Sequence, residues 1–261
     1  FLEQLRDGSL RAQYDKESKP LTVKYGVTME EQARLKLPCG GQLHVLLEFI
    51  DSNEQTCEVF KRLAGDLENH SKVSRRVDLT NGAISAEAQS SEDAVVIDGT
   101  QMTHSLSPMY RLLILGAGDV AKFVAEMAIA LEYDVMLCDP RPNYLDNWSV
   151  PGVETTAQLP DDVVRERFSN PYSGIIALAH DPRVDDMALM EALKTNAFYI
   201  GAMGSVKTSA ARRERLPELG LSFDEIDRLH APIGFQINSK TPAEIAIAVM
   251  AEITSVRYQK K

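Results

Sequence analysis

Residues able to do chemistry in this chain stand just after short apolar runs. Gly116-Ala117-Gly118-Asp119-Val120-Ala121 forms a G-x-G-x-x-A turn directly behind Leu112 to Leu115. The first glycine permits a tight turn, the second lets an anion reach bare backbone, and the small third residue lets a helix pack close. Free N–H groups at the start of that helix make an anion site. Asp139 ends the next apolar run, Val135 to Cys138, at the place of a ribose-binding carboxylate, on the order of 20 residues on. His180 and Asp181 end a third run, and Gly201, Gly204 and Ser205 a fourth.

Each of these residues has a structural reading beside the chemical one. Gly201 and Gly204 supply turn geometry, or expose amides to an anion before a helix. Ser205 caps that helix, or with Lys207 balances a phosphate. His180 is an acid, a base or a ligand contact, or else a neutral ring bonded near Asp181 or Asp185. Asp181 followed by Pro182 makes an N-cap and first-turn pair. Asp185 and Asp186 are adjacent at a helix start and point apart, which argues against a metal pair. Arg212, Arg213 and Arg215 read as a solvated helix face. Cys39, in Pro38-Cys39-Gly40-Gly41, has small neighbours that leave room for a bulky ligand, whereas Cys57 and Cys138 sit inside apolar patterns as small buried residues.

The elements that must position these groups divide in two. Over 109–261, strand and helix patterns alternate, which predicts an α/β unit: a Rossmann-like, doubly wound parallel sheet covered on both faces. Val120, Val124, Met127, Ala128 and Leu131 recur at helical spacing after the glycine turn. Ser222 with Glu225 and Thr241 with Glu244 are capping boxes. In such a sheet ligands lie outside the carboxyl ends of the strands, so the polar motifs become neighbours by topology. Residues 1–100 predict a smaller α+β domain, with strands at Leu21–Tyr25 and Leu43–Ile50, the second largely buried. A helix is expected from Asn53 to Leu67 with Cys57, Phe60, Leu63, Ala64 and Leu67 on one face, then a hairpin around Asn81-Gly82. The polar segment 101–108 reads as a linker.

Composition narrows the class of partner. The chain has 261 residues and a formal net charge of −10, which argues against nucleic acid. No apolar run approaches the length of a membrane span, so no membrane is expected. Three cysteines without metal-type spacing fit a reducing, cytoplasmic setting. The start at Phe1 suggests a processed or truncated product.

Taken together, GAGDVA, DPRP, HDPRVDD, YIGAMGS with Lys207-Thr208, HAPIG and INSKTPAEIAIAVMAEI resemble the XdhC/CoxF accessory proteins, as does PCGGQLHVLLE nearer the start. The resemblance covers about residues 35–50 and 111–257. It implies a chaperone rather than a turnover enzyme: a protein that binds the molybdenum cofactor (molybdopterin or its cytosine dinucleotide form), supports its sulfuration and inserts it into an apo molybdenum hydroxylase such as xanthine dehydrogenase. A cysteine desulfurase and a second copy of the chain are the other partners it implies. Carried over residue by residue, it points to Cys39, Gly116, Gly118, Asp139, His180, Asp181, Gly201, Gly204, Ser205 and Lys240, with the cofactor lying between the smaller domain near Cys39 and the sheet edge. Asp119 stands where the family usually has histidine, and Asn238-Ser239-Lys240 replaces a Gly-Ala-Lys-like turn, which asparagine mimics because it tolerates the left-handed region. An NAD(P)-dependent oxidoreductase using Asp139 on a ribose, and an adaptor with a vestigial Rossmann fold, are the competing readings.

Overall fold

The computed structural model describes residues 8–17, 19–35, 41–88, 94–141 and 143–259. The chain forms two compact units, Phe1–Pro108 and Met109–Lys261.

In the first unit, α1 (Ser9–Glu17), β1 (Leu21–Tyr25), α2 (Met29–Arg34) and β2 (Leu43–Leu47) precede α3 (Glu54–Glu68). Four strands follow: β3 (Val73–Asp78), β4 (Ile84–Glu87), β5 (Val95–Asp98) and β6 (Gln101–Leu106). β1 and β2 pair antiparallel with Leu21 opposite Leu47, and the other sheet has the order β4-β3-β6-β5. The β3–β4 hairpin turns at Gly82, which takes φ +77°. Its turn is fastened by the Thr80 amide donating to Asp78 and the Ala83 amide donating to Asn81. Leu63, Val73, Val77 and Met102 are buried there.

Three expectations change in this unit. Segment 101–108 is no linker: Gln101–Leu106 is an inner strand between β3 and β5. Its Met102 is 3% exposed and supplies core contact that the polar composition around it conceals. β2 ends at Leu47 and is half open, with Leu43 54% exposed, because it belongs to a sheet of two strands. On α3, Leu63 is buried while Cys57 and Phe60 are exposed, so the face turned to the sheet is narrower than the apolar spacing suggests.

The second unit begins with β7 (Arg111–Leu115), α4 (Asp119–Ala130), β8 (Asp134–Cys138) and β9 (Glu154–Thr156). It continues through α5 (Pro160–Arg167), β10 (Ser173–Ala177), α6 (Pro182–Ala192) and β11 (Tyr199–Ala202). α7 (Val206–Arg215), α8 (Phe223–Asp227), β12 (Leu229–His230) and α9 (Pro242–Gln259) complete it. The six strands are parallel, in the order β12-β11-β10-β7-β8-β9. Counted within the unit this is 6-5-4-1-2-3, the order of the two-halved dinucleotide-binding sheet. The α/β, Rossmann-like doubly wound architecture expected from the pattern is what the chain forms.

Alternation along the strands builds two cores. Leu113, Leu115, Met136, Cys138, Ile175, Ala177 and Ile200 face one layer with α5 and α6. Leu112, Ile114, Val135, Leu137, Ile176 and Leu178 face the other with α4 and α9. Strands buried on both faces need apolar residues at every position, which is why these runs lack a polar period. Helix starts follow their local sequence. Asp181 caps α6 ahead of Pro182, Ser222 and Glu225 form the reciprocal box on α8, and Glu244 accepts from the Lys240 and Thr241 amides ahead of α9.

Candidate functional site at the carboxyl edge of the parallel sheet

Strand order reverses between β7 and β10, and the loops leaving the carboxyl ends of β7, β8, β10 and β11 converge on that point. The β7 turn is shaped by its first glycine. Gly116 takes φ +98°, and a Cβ built there would lie 2.4 Å from Ala179 Cα and 2.7 Å from Ala179 N. The two loops therefore touch backbone to backbone. Gly118 differs: its backbone is extended at φ −91°, ψ 179°, it is exposed, and a Cβ would meet nothing within 4 Å. It caps α4 with no side-chain hydrogen bond, so no side chain occupies the start of that helix as a cap.

Asp139 lies at the end of β8, 0% exposed. Its Oδ2 accepts from the Ala117 amide at 2.9 Å and from Arg141 Nη2 at 2.6 Å. Its Oδ1 accepts from the Arg141 amide at 3.1 Å and from Arg141 Nε at 2.8 Å. Burial alone would raise this carboxyl's pKa, but the Arg141 guanidinium and the two amides hold it below the usual range. Arg141 Nη1 also donates to the Ala179 carbonyl at 3.1 Å, tying the β8 loop to the β10 loop. Its guanidinium lies 3.7 Å from the centre of the half-exposed Tyr144 ring.

The remaining expected residues fall at the same edge in unequal roles. His180 is exposed and holds φ +55°, a left-handed backbone uncommon outside glycine, at the mouth of the β10 loop. Asp181 caps α6, accepting from the Arg183 amide at 3.0 Å while paired with the Arg183 side chain. Ser205 caps α7 through the Thr208 amide at 3.1 Å. Gly204 precedes it, with Thr208 Cβ 3.4 Å from where its own Cβ would be. Gly201 lies inside β11 rather than in the loop, where a Cβ would crowd Ile233 at 2.6 Å and Tyr199 at 2.8 Å, so it is a packing glycine. Lys240 is exposed and offers its backbone amide to the α9 box. Asn238 takes φ +60°, as expected of a residue replacing glycine. Cys39 lies outside the described residues. Cys138 is buried, and burial, with Asp139 beside it, pushes its thiol up to about 12, an inert side chain.

Residues 112–253, more than half of the chain, match the family described as the XdhC Rossmann domain. The chain belongs to the XdhC Rossmann-domain family. It is 27% identical over 225 residues to the molybdenum cofactor insertion chaperone PaoD of Escherichia coli, covering 86% of this chain and 63% of PaoD. It is 27% identical over 153 residues to a probable xanthine dehydrogenase component of Bacillus subtilis, covering 58% of this chain and 44% of that protein. It thus spans less than two thirds of these relatives. The crystal structure of a xanthine dehydrogenase from Bacillus halodurans has the same fold, with TM-score 0.69 and 24% identity over 98% of this chain and 81% of that one.

This XdhC Rossmann unit contains two features that residue types alone did not reveal. Arg141, two positions after the acid in the DPRP motif, is the partner of Asp139; the motif itself was the signal. The second feature corrects the expected solvated face of α7. Arg212 is 3% exposed, donates to Asp186 at 2.8 Å and lies 3.6 Å from Asp185. Arg215 also pairs with Asp186, and Arg213 donates to the Ile226 carbonyl at 3.0 Å. Ser209, Arg212 and Leu216 form a buried stripe at spacings of three and four, which marks Arg212 as an inward residue.

Asp185 in turn accepts from the Ala179 amide at 3.2 Å, and burial pushes its carboxyl up to about 6, against the pull of that amide and Arg212. A folded-state pKa above the unfolded value means the native chain holds more protons between pH about 4 and 6, so this group makes stability fall as pH rises there. An Asp185→Asn chain, whose amide oxygen still accepts from Ala179, is expected to lose that fall; urea unfolding at pH 4, 5, 6 and 7 measures it. An unchanged slope against native protein would contradict the assignment.

Among the described residues no group of three His, Cys, Asp or Glu could hold a metal ion, and no helix is long and apolar enough to cross a membrane.

Proposed function

We propose that this chain is a molybdenum cofactor chaperone, which holds the cofactor, supports its sulfuration and delivers it to an apo molybdenum hydroxylase of the xanthine dehydrogenase or aldehyde oxidase type. The observation that carries the reading is membership of the XdhC family together with the likeness to PaoD over 86% of the chain. The geometry supports it. A pterin phosphate needs backbone donors, and the start of α4 carries no side-chain cap and begins at an exposed Gly118. His180 projects from the neighbouring loop with a strained backbone, a feature that clusters at ligand sites.

In this reading Gly116 brings the β7 and β10 loops together, and Gly118 and the amides after it receive the phosphate. Ser205 and Asp181 set helix starts around the site rather than touch the ligand. Cys39 is proposed as a cofactor contact on the resemblance of its Pro38-Cys39-Gly40-Gly41 segment to the family. A cysteine desulfurase as sulfur donor, a homodimeric state and a cytoplasmic setting belong to the same proposal.

Reconstitution tests it. Chain purified from a host that makes molybdopterin, mixed with apo hydroxylase, is expected to restore hydroxylase activity in proportion to its pterin content. Pterin-loaded chain that restores no more activity than free cofactor at equal concentration would contradict a delivery role.

A further inference from the structure

Asp139 occupies the position from which a carboxylate ordinarily accepts the ribose hydroxyls of a nicotinamide dinucleotide. Such a carboxylate must keep a lone pair facing the crevice. Two carboxylate oxygens offer about four acceptor positions between them. Here four donors are already in place at 2.6 to 3.1 Å, three of them from Arg141 and one from Ala117, and no surface of Asp139 is exposed. Arg141 is itself held by the Ala179 carbonyl, so the lock spans the loops of β7, β8 and β10. The other side of the Arg141 guanidinium rests on the ring of Tyr144.

We propose that Arg141 is the specificity-determining residue of this crevice: it withdraws Asp139 from ribose recognition, so the site refuses a nicotinamide dinucleotide. This rests on the reading of the crevice as a pterin-phosphate site, and it names how that site refuses the commoner ligands of its fold. The same pairing neutralises Arg141, so the guanidinium does not serve as a reader of a ribose 2′-phosphate.

Calorimetric titration of NAD+ and NADP+ into the full chain, its Arg141→Leu variant and an Arg141→Leu/Asp139→Asn double variant tests the proposal. The native chain is expected to bind neither dinucleotide more tightly than about 1 mM. Arg141→Leu is expected to gain NAD+ affinity by about tenfold or more, and the added Asp139→Asn to remove the gain. Arg141→Lys, which covers fewer of the carboxylate's acceptor positions and preserves charge, is expected to show the same direction with a smaller gain, and serves if the leucine variant does not fold. Native chain binding either dinucleotide tighter than about 100 μM, or a folded Arg141 variant with no gain, overturns the proposal. Pterin content measured on the same preparations separates the two readings, because a chain that holds no pterin contradicts the chaperone site while leaving the dinucleotide result intact.

Discussion

A Gly116→Ala chain is expected to lose on the order of 4 kcal/mol of stability, or to fail to fold, because it meets two independent penalties at one atom. The backbone there has φ +98°, where a side chain is strained in any surroundings. The new Cβ would also lie 2.4 Å from Ala179 Cα and 2.8 Å from Ala179 Cβ. Trimming Ala179 to glycine removes the Cβ contact but neither the backbone contact nor the strain, so the double variant Gly116→Ala/Ala179→Gly is expected to recover little. Two residues later the same change meets open space, and Gly118→Ala is expected to move stability by about 1 kcal/mol at most. Chemical denaturation of the pair measures the contrast. Equal losses at Gly116 and Gly118 would show that the β7 and β10 loops do not meet as described.

Arg212→Ala is expected to cost about 3–5 kcal/mol, a large effect for a residue on a helix rich in arginine. Its removal leaves Asp186 with Arg215 as its remaining partner and Asp185, 1% exposed, without its ion-pair partner and with the Ala179 amide and the field of Arg141 alone to balance it. Buried charge without its counterpart carries the cost, not loss of a favourable pair alone. A second change checks the sign: Arg212→Ala combined with Asp185→Asn is expected to be more stable than Arg212→Ala alone. Arg213→Ala, whose guanidinium donates to backbone carbonyls rather than to carboxylates, is expected to cost less. If the single Arg212 variant unfolds at the same urea concentration as native protein, the network does not brace the β10 loop.

The parallel sheet was legible because strands buried on both faces and amphipathic helices leave a repeating trace, and because the glycine turn, the acid after β8 and the caps are local patterns. The smaller unit was harder. Gln101–Leu106 pairs on both sides through its backbone, and backbone hydrogen bonds leave no trace in side-chain polarity, so QMTHSL read as a linker. At the site, the four loops at the carboxyl edge are legible, since each follows an apolar strand run. What each residue does once there was not legible. Asp139 as an accepting carboxylate and Asp139 as an internal brace differ by the direction of Arg141, which residue types do not specify. Gly201 read as a loop donor because β11 runs to Ala202, two residues beyond the apolar run Ala197 to Ile200. Arg212 reads as solvated because a charged residue on a helix usually is, and the two acids that draw it inward belong to another helix.

The amides at the start of α4 are where a chaperone role is most directly tested. Gly118→Asp probes them with little structural cost, because the position is extended, exposed and open, and aspartate is a favoured cap that stabilises a helix start. Mass spectrometry of the small molecule released on denaturation, from native and Gly118→Asp chains made in the same molybdopterin-producing host, reads the outcome. A pterin phosphate in the native protein, falling about tenfold or more in a variant at least as stable as native, is the expected result. Undiminished pterin in Gly118→Asp would contradict it.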